Sequence, residues 1–333
     1  MERAIIHSDL TKNEIQPQHL LDQYIELLQN DIKSMFPVSV LESASCPVTG
    51  EETVRNSFDK MGLEYQVSQT LGNIYLSPRP SKEKLIEFYH RSSARKFWLN
   101  VLWPKTQKVR REKIILPQLK WAHGFVSQYF TEQSLVFTEH LPNHWGYYNS
   151  SHEVFKKVDY RLVEPLFEAK IAKIDAKSFY AAEQVKDDSV DCVFLFEALD
   201  RSTNPAELLQ NVLKSLKPNG LCFITCILSS GFEVQLLGQE SEIFVPPEKM
   251  NLFSYEGMTD LVENANGFDL LEFSTPGVLD ISNVVKHLET LSNSEFFKYI
   301  FKDREDHEIL NSFQDFLQMN RLGTFGRLVL RKQ

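Results

Sequence analysis

The sequence predicts an α/β protein built on a doubly wound, mostly parallel sheet, and three segments between residues 190 and 228 carry this prediction. Val190–Phe196 is an apolar run rich in β-branched and aromatic residues, as expected of a strand buried on both faces of a parallel sheet. The next segment repeats leucine and valine at helical spacing, and residues 221–228 are a second apolar run of strand length. A strand, a crossover helix and a second strand form half of a doubly wound sheet.

Capping residues indicate where the crossover helix begins and ends. Asn204 is the predicted N-cap and Pro205 the first helical position, and the run KPNG at residues 217–220 is expected to stop the helix. Ligands of such sheets lie beyond the carboxyl ends of the strands. The residues that follow Phe196 are therefore the first candidates for function.

Composition narrows the class of protein. The 333 residues are 42% hydrophobic and 24% charged, which is ordinary for a globular protein, and no run approaches the ~20 apolar residues of a membrane span. The net charge of −9 argues against nucleic acid as the main partner, because phosphate binding depends on Lys and Arg. With only four cysteines, we expect no structural disulfide, and the protein is expected in the cytoplasm.

The remaining elements can be placed in order. Residues 20–35 predict an amphipathic helix for packing or dimerisation. The runs LVFTE (135–139) and VDYRLV (158–163) predict two strands of a second sheet half, and residues 174–182 contain a third. Residues 257–264 predict a helix, and LLEFS (270–274) and residues 326–331 predict the last two strands.

Several motifs resemble those of class I S-adenosylmethionine-dependent methyltransferases. The run DSVDCVFLFEALDR followed by NPAELLQNVLKSLKPNGLCFIT is similar to the fourth strand, helix and fifth strand of that family. Val163-Glu164-Pro165 matches the end of its second strand, and STPGVLD and PPEKMNLFS resemble a branch associated with sugar and surface-polysaccharide pathways. The resemblance implies a Rossmann-like sheet of seven strands, mostly parallel with the last one antiparallel, and a small N-terminal α+β subdomain.

The resemblance also implies a division of the chain. We expect an N-terminal helical segment (1–45), a degenerate zinc-ribbon-like subdomain (46–91), a helical connector (92–130) and a methyltransferase-like domain (131–333). Relatives in this branch hold zinc with four cysteines. Here Cys46 remains, but Thr49, Ser68 and Leu71 stand at the other ligand positions. One thiolate cannot hold a tetrahedral structural zinc, so no zinc is expected.

Family resemblance further implies S-adenosylmethionine as the cofactor and a set of residues that contact it. A carboxylate at Glu164 would accept both ribose hydroxyls. The other implied contacts are Glu139, Gly146, Ala182, Glu183, Phe196 and Glu197.

The same motifs also depart from the family pattern. The glycine-rich turn after the first strand is replaced by EHLPNHWG (139–146), in which only the last glycine survives, so cofactor binding is expected to be weak or absent. Arg201 stands where the family has histidine, and Lys249 or Glu248 stands in the histidine position of the Pro-Pro loop. The catalytic residues stay unassigned, with His144, Arg201 and Lys249 as candidates.

Two functional hypotheses follow. The first is a methyltransferase acting on a sugar or nucleotide-sugar in surface-polysaccharide synthesis. The second is a catalytically inactive, methyltransferase-like binding or assembly module. A third interpretation, a nicotinamide-dependent dehydrogenase, also requires a glycine-rich turn. Because the sequence lacks this turn, its absence does not favour the dehydrogenase over the other two. The basic residues Arg110, Arg111, Lys113 and Lys120 form either a solvated helix face or a site for an anionic substrate. The oligomeric state stays open.

Overall fold

The main sheet lies in the carboxyl-terminal part of the chain. The computed structural model describes residues 5–131, 134–291, 295–304 and 307–333. Within these ranges the sheet has seven strands, numbered in chain order as β1 (Leu135–His140), β2 (Val158–Val163), β3 (Phe179–Tyr180), β4 (Val190–Phe196), β5 (Leu216–Ile227), β6 (Phe268–Ser274) and β7 (Phe325–Lys332). Their order is β6-β7-β5-β4-β1-β2-β3, with β1 to β5 parallel and β7 antiparallel to both neighbours. The predicted Rossmann-like sheet is confirmed.

Strand β5 begins five residues earlier than the sequence indicates. Leu216 already pairs with Val190, and regular pairing resumes at Leu221 after an irregularity. Asn219 adopts a positive φ of 63° within it. The KPNG run therefore ends the helix Pro205–Ser215 and also forms a bulged strand entry, which hydrophobic periodicity alone does not reveal.

Helices cover both faces of the sheet. Asn204 caps the helix Pro205–Ser215 as predicted, because its Oδ1 accepts a hydrogen bond from the Glu207 amide. The α-helices among the described residues are Lys12–Ile15, Gln18–Met35, Lys82–Arg91, Ser93–Phe97, Trp103–Arg110, Leu116–Tyr129, Gly146–Val154, Ala169–Ala172, Ala198–Arg201, Pro205–Ser215, Phe232–Leu237, Tyr255–Asn264, Asp280–His287, Glu295–Lys298 and His307–Met319. None of them is long and apolar enough to cross a membrane.

Residues 93–129 run as one continuous helix, which we call the connector helix. Two π-helical turns, Trp98–Leu102 and Arg111–Ile115, interrupt its α-helical segments. The helix packs on the face of the sheet formed by Phe137, Phe194 and Phe223. Side chains at alternate positions of β4 pack on the opposite face, against the helix Pro205–Ser215. Strand β4 is buried along its whole length as a result.

A second, four-stranded sheet joins the N-terminal region to the main domain. Its strands are Val54–Lys60, Leu63–Ser68, Ile74–Leu76 and Asn251–Leu252. Asn251–Leu252 follows β5 in the chain and pairs antiparallel with Ile74–Leu76. The Pro-Pro segment of the sequence thus becomes part of the N-terminal subdomain. A separate short pair, Leu41–Glu42 and Arg79–Pro80, completes that region.

Asn73 holds the region around Cys46 and Ser68 together with hydrogen bonds. Its backbone amide donates to Ser68 Oγ at 3.0 Å, and its side-chain Nδ2 donates to Cys46 Sγ at 3.6 Å. Its Oδ1 accepts from the Ser254 amide at 2.8 Å, which ties this region to the helix Tyr255–Asn264. Among the described residues there is no group of three or more His, Cys, Asp or Glu side chains that could hold a metal ion.

Gly257 is expected to be essential for this junction. A Cβ atom at position 257 would lie 2.0 Å from Asn73 Oδ1. Gly257→Ala should therefore lower the free energy of unfolding by about 1 to 3 kcal/mol, measured by urea denaturation. Gly124→Ala is the matched control, since Gly124 is also helical and a Cβ added there would meet no atom within 4 Å. The free energy of unfolding of Gly124→Ala should rise by up to about 1 kcal/mol. Equal effects at both sites would contradict this account.

Candidate functional site

Three parallel strands end at the same edge of the sheet, and the residue after each strand has a left-handed backbone. These residues are Leu141 after β1, Glu164 after β2 and Glu197 after β4, with φ values of 48°, 48° and 54°. Positive φ is uncommon outside glycine and is concentrated at functional sites and tight turns. The chain therefore turns sharply away at each strand end, including Leu141 in the loop that lacks glycines.

Arg201 spans the crevice between β1 and β4, where the strand order reverses. Its Nη1 donates hydrogen bonds to the carbonyl oxygens of Leu141 at 3.3 Å and Phe196 at 3.1 Å. The rings of Tyr147 and Phe196 meet across the same crevice, with centroids 4.1 Å apart. Ligands of doubly wound sheets bind at this switch point. Here Arg201 and the ring of Tyr147 lie at that point and form part of a cavity wall.

A second buried guanidinium ties the loops after β1 and β2. Arg95, which is 3% exposed, donates to the carbonyl oxygens of Asn143 and Leu166. Glu248 lies between the two arginines, with ion-pair distances of 3.8 Å to Arg95 and 3.6 Å to Arg201. No sequence pattern marked Arg95, because its partners lie more than forty residues away along the chain.

Lys249 is held by two carboxylates. Its Nζ lies 2.5 Å from Glu197 Oε2 and 2.8 Å from Asp200 Oδ2. Burial lowers the pKa of Lys249, but the charges of Asp200 and Glu197 outweigh it, and the net pKa is raised. Burial raises the pKa of Glu197, but Lys249 and Arg201 more than offset it and hold the pKa at about 2. At neutral pH Lys249 is therefore protonated and Glu197 ionised.

The imidazole of His144 is packed among aromatic rings and is not positioned to act as a base. It stacks on Trp103, with ring centroids 4.3 Å apart, and on Tyr147 at 5.3 Å. Its Nδ1 accepts a hydrogen bond from the Gly146 amide at 3.1 Å. Burial lowers the pKa of His144 to about 3, with the nearby Arg110 acting in the same direction. The imidazole is neutral at physiological pH, with its lone pair at Nδ1 already used.

Two of the residues implied as cofactor contacts, Glu139 and Gly146, contact other residues of the protein instead. Glu139 is 2% exposed and accepts a hydrogen bond from the Tyr160 hydroxyl at 2.9 Å. A Cβ at Gly146 would lie 2.5 Å from Ile115 Cδ1 and 2.8 Å from Trp103, so this glycine allows the connector helix to approach closely.

The other implied contacts divide between two places. Glu164 is paired with Lys82 at 2.9 Å, and Ala182 and Glu183 lie in the 3-10 helix after β3; none of the three lines the cavity at Glu197. Phe196 and Glu197 lie at the end of β4, beside the candidate catalytic residues His144, Arg201 and Lys249. The structure therefore brings the β4 residues and the candidate catalytic residues together, but not the residues implied for ribose and adenine.

A cavity of about 450 Å³ lies next to this cluster. Its walls come from the N-terminal segment around residues 6–16, the connector helix and the segments 242–249 and 276–283, with Glu197 facing the interior. The N-terminal segment is fixed over the cavity, because the backbone of Ile6 exchanges hydrogen bonds of 2.7 and 2.9 Å with the Gln318 side chain. Sequence patterns did not predict this roof, since its contacts join the two ends of the chain.

The buried Glu139 should make stability fall as pH rises. Burial raises the pKa of Glu139 to about 8 from an ordinary value of 4.5, against the lowering effect of the Tyr160 hydrogen bond. Between these values the folded state keeps a proton that the unfolded state has lost, so stability falls by up to about 1.4 kcal/mol per pH unit. The effect is best measured between pH 6.5 and 8. Burial lowers the pKa values of His140 and His144 to about 4 and about 3, so both imidazoles are neutral in the folded protein throughout this range.

Glu139→Gln should remove this slope in urea denaturation across that window, since the amide oxygen can still accept the Tyr160 hydrogen bond. Glu26→Gln, an exposed site on the helix Gln18–Met35, should keep the wild-type slope. A wild-type stability that is flat or rises over the window would show that Glu139 is ionised in the folded protein.

Arg201 should matter far more for stability than an exposed ion pair at the same edge. Arg201→Met leaves two carbonyl oxygens without their donor and two carboxylates short of a cation, so the expected loss is about 3 to 5 kcal/mol. Lys82→Met removes the pair with Glu164, in which Lys82 is 57% exposed, and should cost about 0 to 1 kcal/mol. Chemical denaturation of both variants measures the two losses in the free energy of unfolding. Similar losses in the two variants would argue against the role given to Arg201.

Comparison with known proteins adds a family match. Residues 136–272, less than half of the chain, match a family model described as a methyltransferase domain. A search of curated proteins by sequence finds no match.

Among solved structures, the chain is similar to a putative methyltransferase in complex with the Trm112 methyltransferase activator of Haloferax volcanii (17% identity, 71% of this chain and 96% of that one, TM-score 0.45). It is similar to phosphoethanolamine N-methyltransferase 2 of Haemonchus contortus in complex with S-adenosyl-L-methionine (11%, 84% and 71%, 0.45). A third is a putative sarcosine dimethylglycine methyltransferase from Galdieria sulphuraria (14%, 66% and 86%, 0.41). Residues 136–272, which run from β1 into β6, are thus similar in sequence to a methyltransferase domain, and they lie on a Rossmann-like sheet.

Proposed function

We propose that this protein is a methyltransferase-fold binding module that holds a sugar-type small molecule in the cavity beside Glu197 and does not use S-adenosylmethionine. The observation that carries the proposal is the pair of hydrogen bonds from Arg201 to the carbonyl oxygens of Leu141 and Phe196. Those bonds occupy the crevice in which a cofactor of this fold class would lie.

The residues at this crevice do not fit the cofactor that the fold implies. Admitting it would require Arg201 and Arg95 to leave their carbonyl and carboxylate partners, and uncompensated buried charges of this kind cost several kcal/mol. S-adenosylmethionine also carries a positive sulfonium, which would enter a cluster in which the cations Arg95, Arg201 and Lys249 are already present with their carboxylate partners. These contacts support a closed crevice.

The side chains that could act as catalytic acids or bases also interact with neighbouring residues of the protein. General acid–base catalysis works best with a pKa near the operating pH. Lys249 is held protonated by Asp200 and Glu197, Glu197 has a pKa of about 2, and His144 has one of about 3. A hydroxyl of a substrate would find no proton acceptor of suitable strength among these three. This supports binding rather than methyl transfer.

The cavity itself has the properties of a small-molecule site. Its volume of about 450 Å³ falls within the common range for such sites, roughly 300 to 1,000 Å³. Its lining combines aromatic rings, including Trp98 and Tyr147, with charged groups such as Glu197 and Arg110. Rings that pack against apolar faces and carboxylates that accept hydroxyl hydrogens together suit a sugar. Four free, buried cysteines agree with a cytoplasmic site of action.

A second candidate is methyl transfer to a sugar or nucleotide-sugar in surface-polysaccharide biosynthesis. The family match from β1 to β6 favours it, as do the carboxylates Glu164 and Glu197 at the ends of β2 and β4, the two strands that flank β1. In this case Arg201 must leave the crevice when the cofactor binds.

Thermal melting with S-adenosylmethionine and S-adenosylhomocysteine separates the two candidates. A ligand at about 100 times its Kd adds about 2.7 kcal/mol to stability, so a micromolar site would be evident at millimolar ligand. We expect no shift in Tm and no heat in a calorimetric titration. Micromolar binding that Glu164→Ala abolishes would overturn the binding-module proposal and favour the methyltransferase candidate.

A further inference from the structure

We infer that the cavity contains an anion-binding subsite at Arg110, so that its ligand carries a phosphate or carboxylate group as well as hydroxyls. The inference rests on the proposed function in taking the cavity as the ligand site. It adds the chemical class of the ligand, which neither the family match nor the fold indicates.

Arg110 is fixed in place by neutral partners. Its Nε donates to Thr106 Oγ1 at 3.1 Å, and its Nη2 donates to the Ile15 carbonyl oxygen at 2.6 Å. In the part of the chain that the structure describes, its Nη1 has no hydrogen-bond partner and no carboxylate lies within ion-pair distance. The guanidinium is therefore held rigidly, with one edge available.

The other cations around the cavity are paired. Arg95 and Arg201 share Glu248, and Lys249 bridges two carboxylates. The remaining pairs are Lys12 with Glu242, Lys113 with Asp9 and Glu14, and Arg327 with Glu272. Arg110 alone among the cavity's described cations lacks a carboxylate.

The charge balance near Arg110 favours an anion. Arg110 lies in a cluster with three other cations, Arg95, Arg201 and Lys249, and with the carboxylates Glu197, Asp200 and Glu248. With all of these ionised, the cluster carries one more positive than negative charge. Burial lowers the pKa of Arg110 to about 10, with Glu197 opposing, so the guanidinium remains charged at neutral pH. A partly buried, unpaired cation is stabilised when an anionic ligand group reaches it.

Glu197 supplies the complementary contact. Its Oε2 is bound by Lys249 and lies near Arg201, whereas Oε1 accepts no hydrogen bond from any described residue. The side chain is 38% exposed and faces the cavity. A ligand with an anionic group at Arg110 can therefore donate a hydroxyl hydrogen to Glu197 Oε1. A phosphorylated sugar and a uronic acid both have this chemistry.

The neighbouring basic residues of the connector helix differ from Arg110 in what they face. Arg111 pairs with Glu153 at the surface. Lys120 is exposed and lies outside the cavity lining. Lys120 is therefore a matched control on the same helix.

Titration of the full-length protein with glucose 1-phosphate, glucuronate, neutral glucose and inorganic phosphate tests the inference. Affinity is measured by calorimetry for the wild type, Arg110→Gln, Arg110→Lys and Lys120→Gln. We expect the two anionic sugars to bind the wild type and Lys120→Gln more tightly than glucose does. Arg110→Gln should weaken that binding about 10- to 100-fold while leaving glucose unaffected. Arg110→Lys keeps the charge and should recover part of the loss, and its unfolding curve shows whether the site still folds.

The outcomes separate this inference from the proposed function. If glucose and the anionic sugars bind equally well, or if Arg110→Gln binds all of them like the wild type, the anion subsite is wrong while the cavity remains a sugar site. If none of the four compounds binds at millimolar concentration, the sugar-binding proposal fails together with the subsite. If inorganic phosphate binds with the same dependence on Arg110 while the sugars do not, the subsite stands and the sugar proposal fails.

Discussion

The buried guanidinium of Arg201 is the contact on which the carboxyl edge of the sheet depends. It joins the ends of β1 and β4 through two carbonyl oxygens, and it pairs with Glu197, the residue after β4, and with Glu248 from a further segment. Arginine suits this position because its planar fork directs several donors at once and remains charged when buried. Histidine, the residue that the resemblance implies here, has two ring nitrogens and could not reach all four partners.

The loop after β1 depends on the same arginines. Without glycines, Leu141 must still adopt a φ of 48°, and a left-handed non-glycine residue persists only where the surroundings fix it. Arg201 binds the Leu141 carbonyl and Arg95 binds that of Asn143, while the Leu166 amide donates to the Pro142 carbonyl at 2.9 Å. The strained turn is thus supported by side chains that come from other parts of the chain.

Much of the sheet could be predicted from the sequence, and the reason is local. Strand β4 and the N-cap at Asn204 depend on residue types over a few positions, so periodicity and capping chemistry were sufficient. The early start of β5 at Leu216 could not be predicted, because it depends on pairing with Val190 on another strand. The roles of Arg95 and of the N-terminal roof were missed for the same reason, since their partners are distant in the chain.

The ion pairs of the candidate site also could not be predicted from the sequence. Sequence motifs located Glu164 and Glu197 at strand ends, but they could not show that Lys82 and Lys249 occupy those carboxylates. The ion pairs join separate segments and have no periodic signal. Only the arrangement in space shows which charges are already compensated and which, such as that of Arg110, are not.

Two departures from the family pattern share one physical explanation. At the segment that resembles a zinc ribbon in sequence, Asn73 binds Ser68 and Cys46 with its own hydrogen bonds. At the switch point, Arg201 and Arg95 join the loops that a bound cofactor would otherwise bridge. A ligand that binds only the folded state contributes to stability. Side-chain contacts of this kind also hold the loops in the folded state, so in both regions the loops are joined by the protein's own hydrogen bonds and ion pairs.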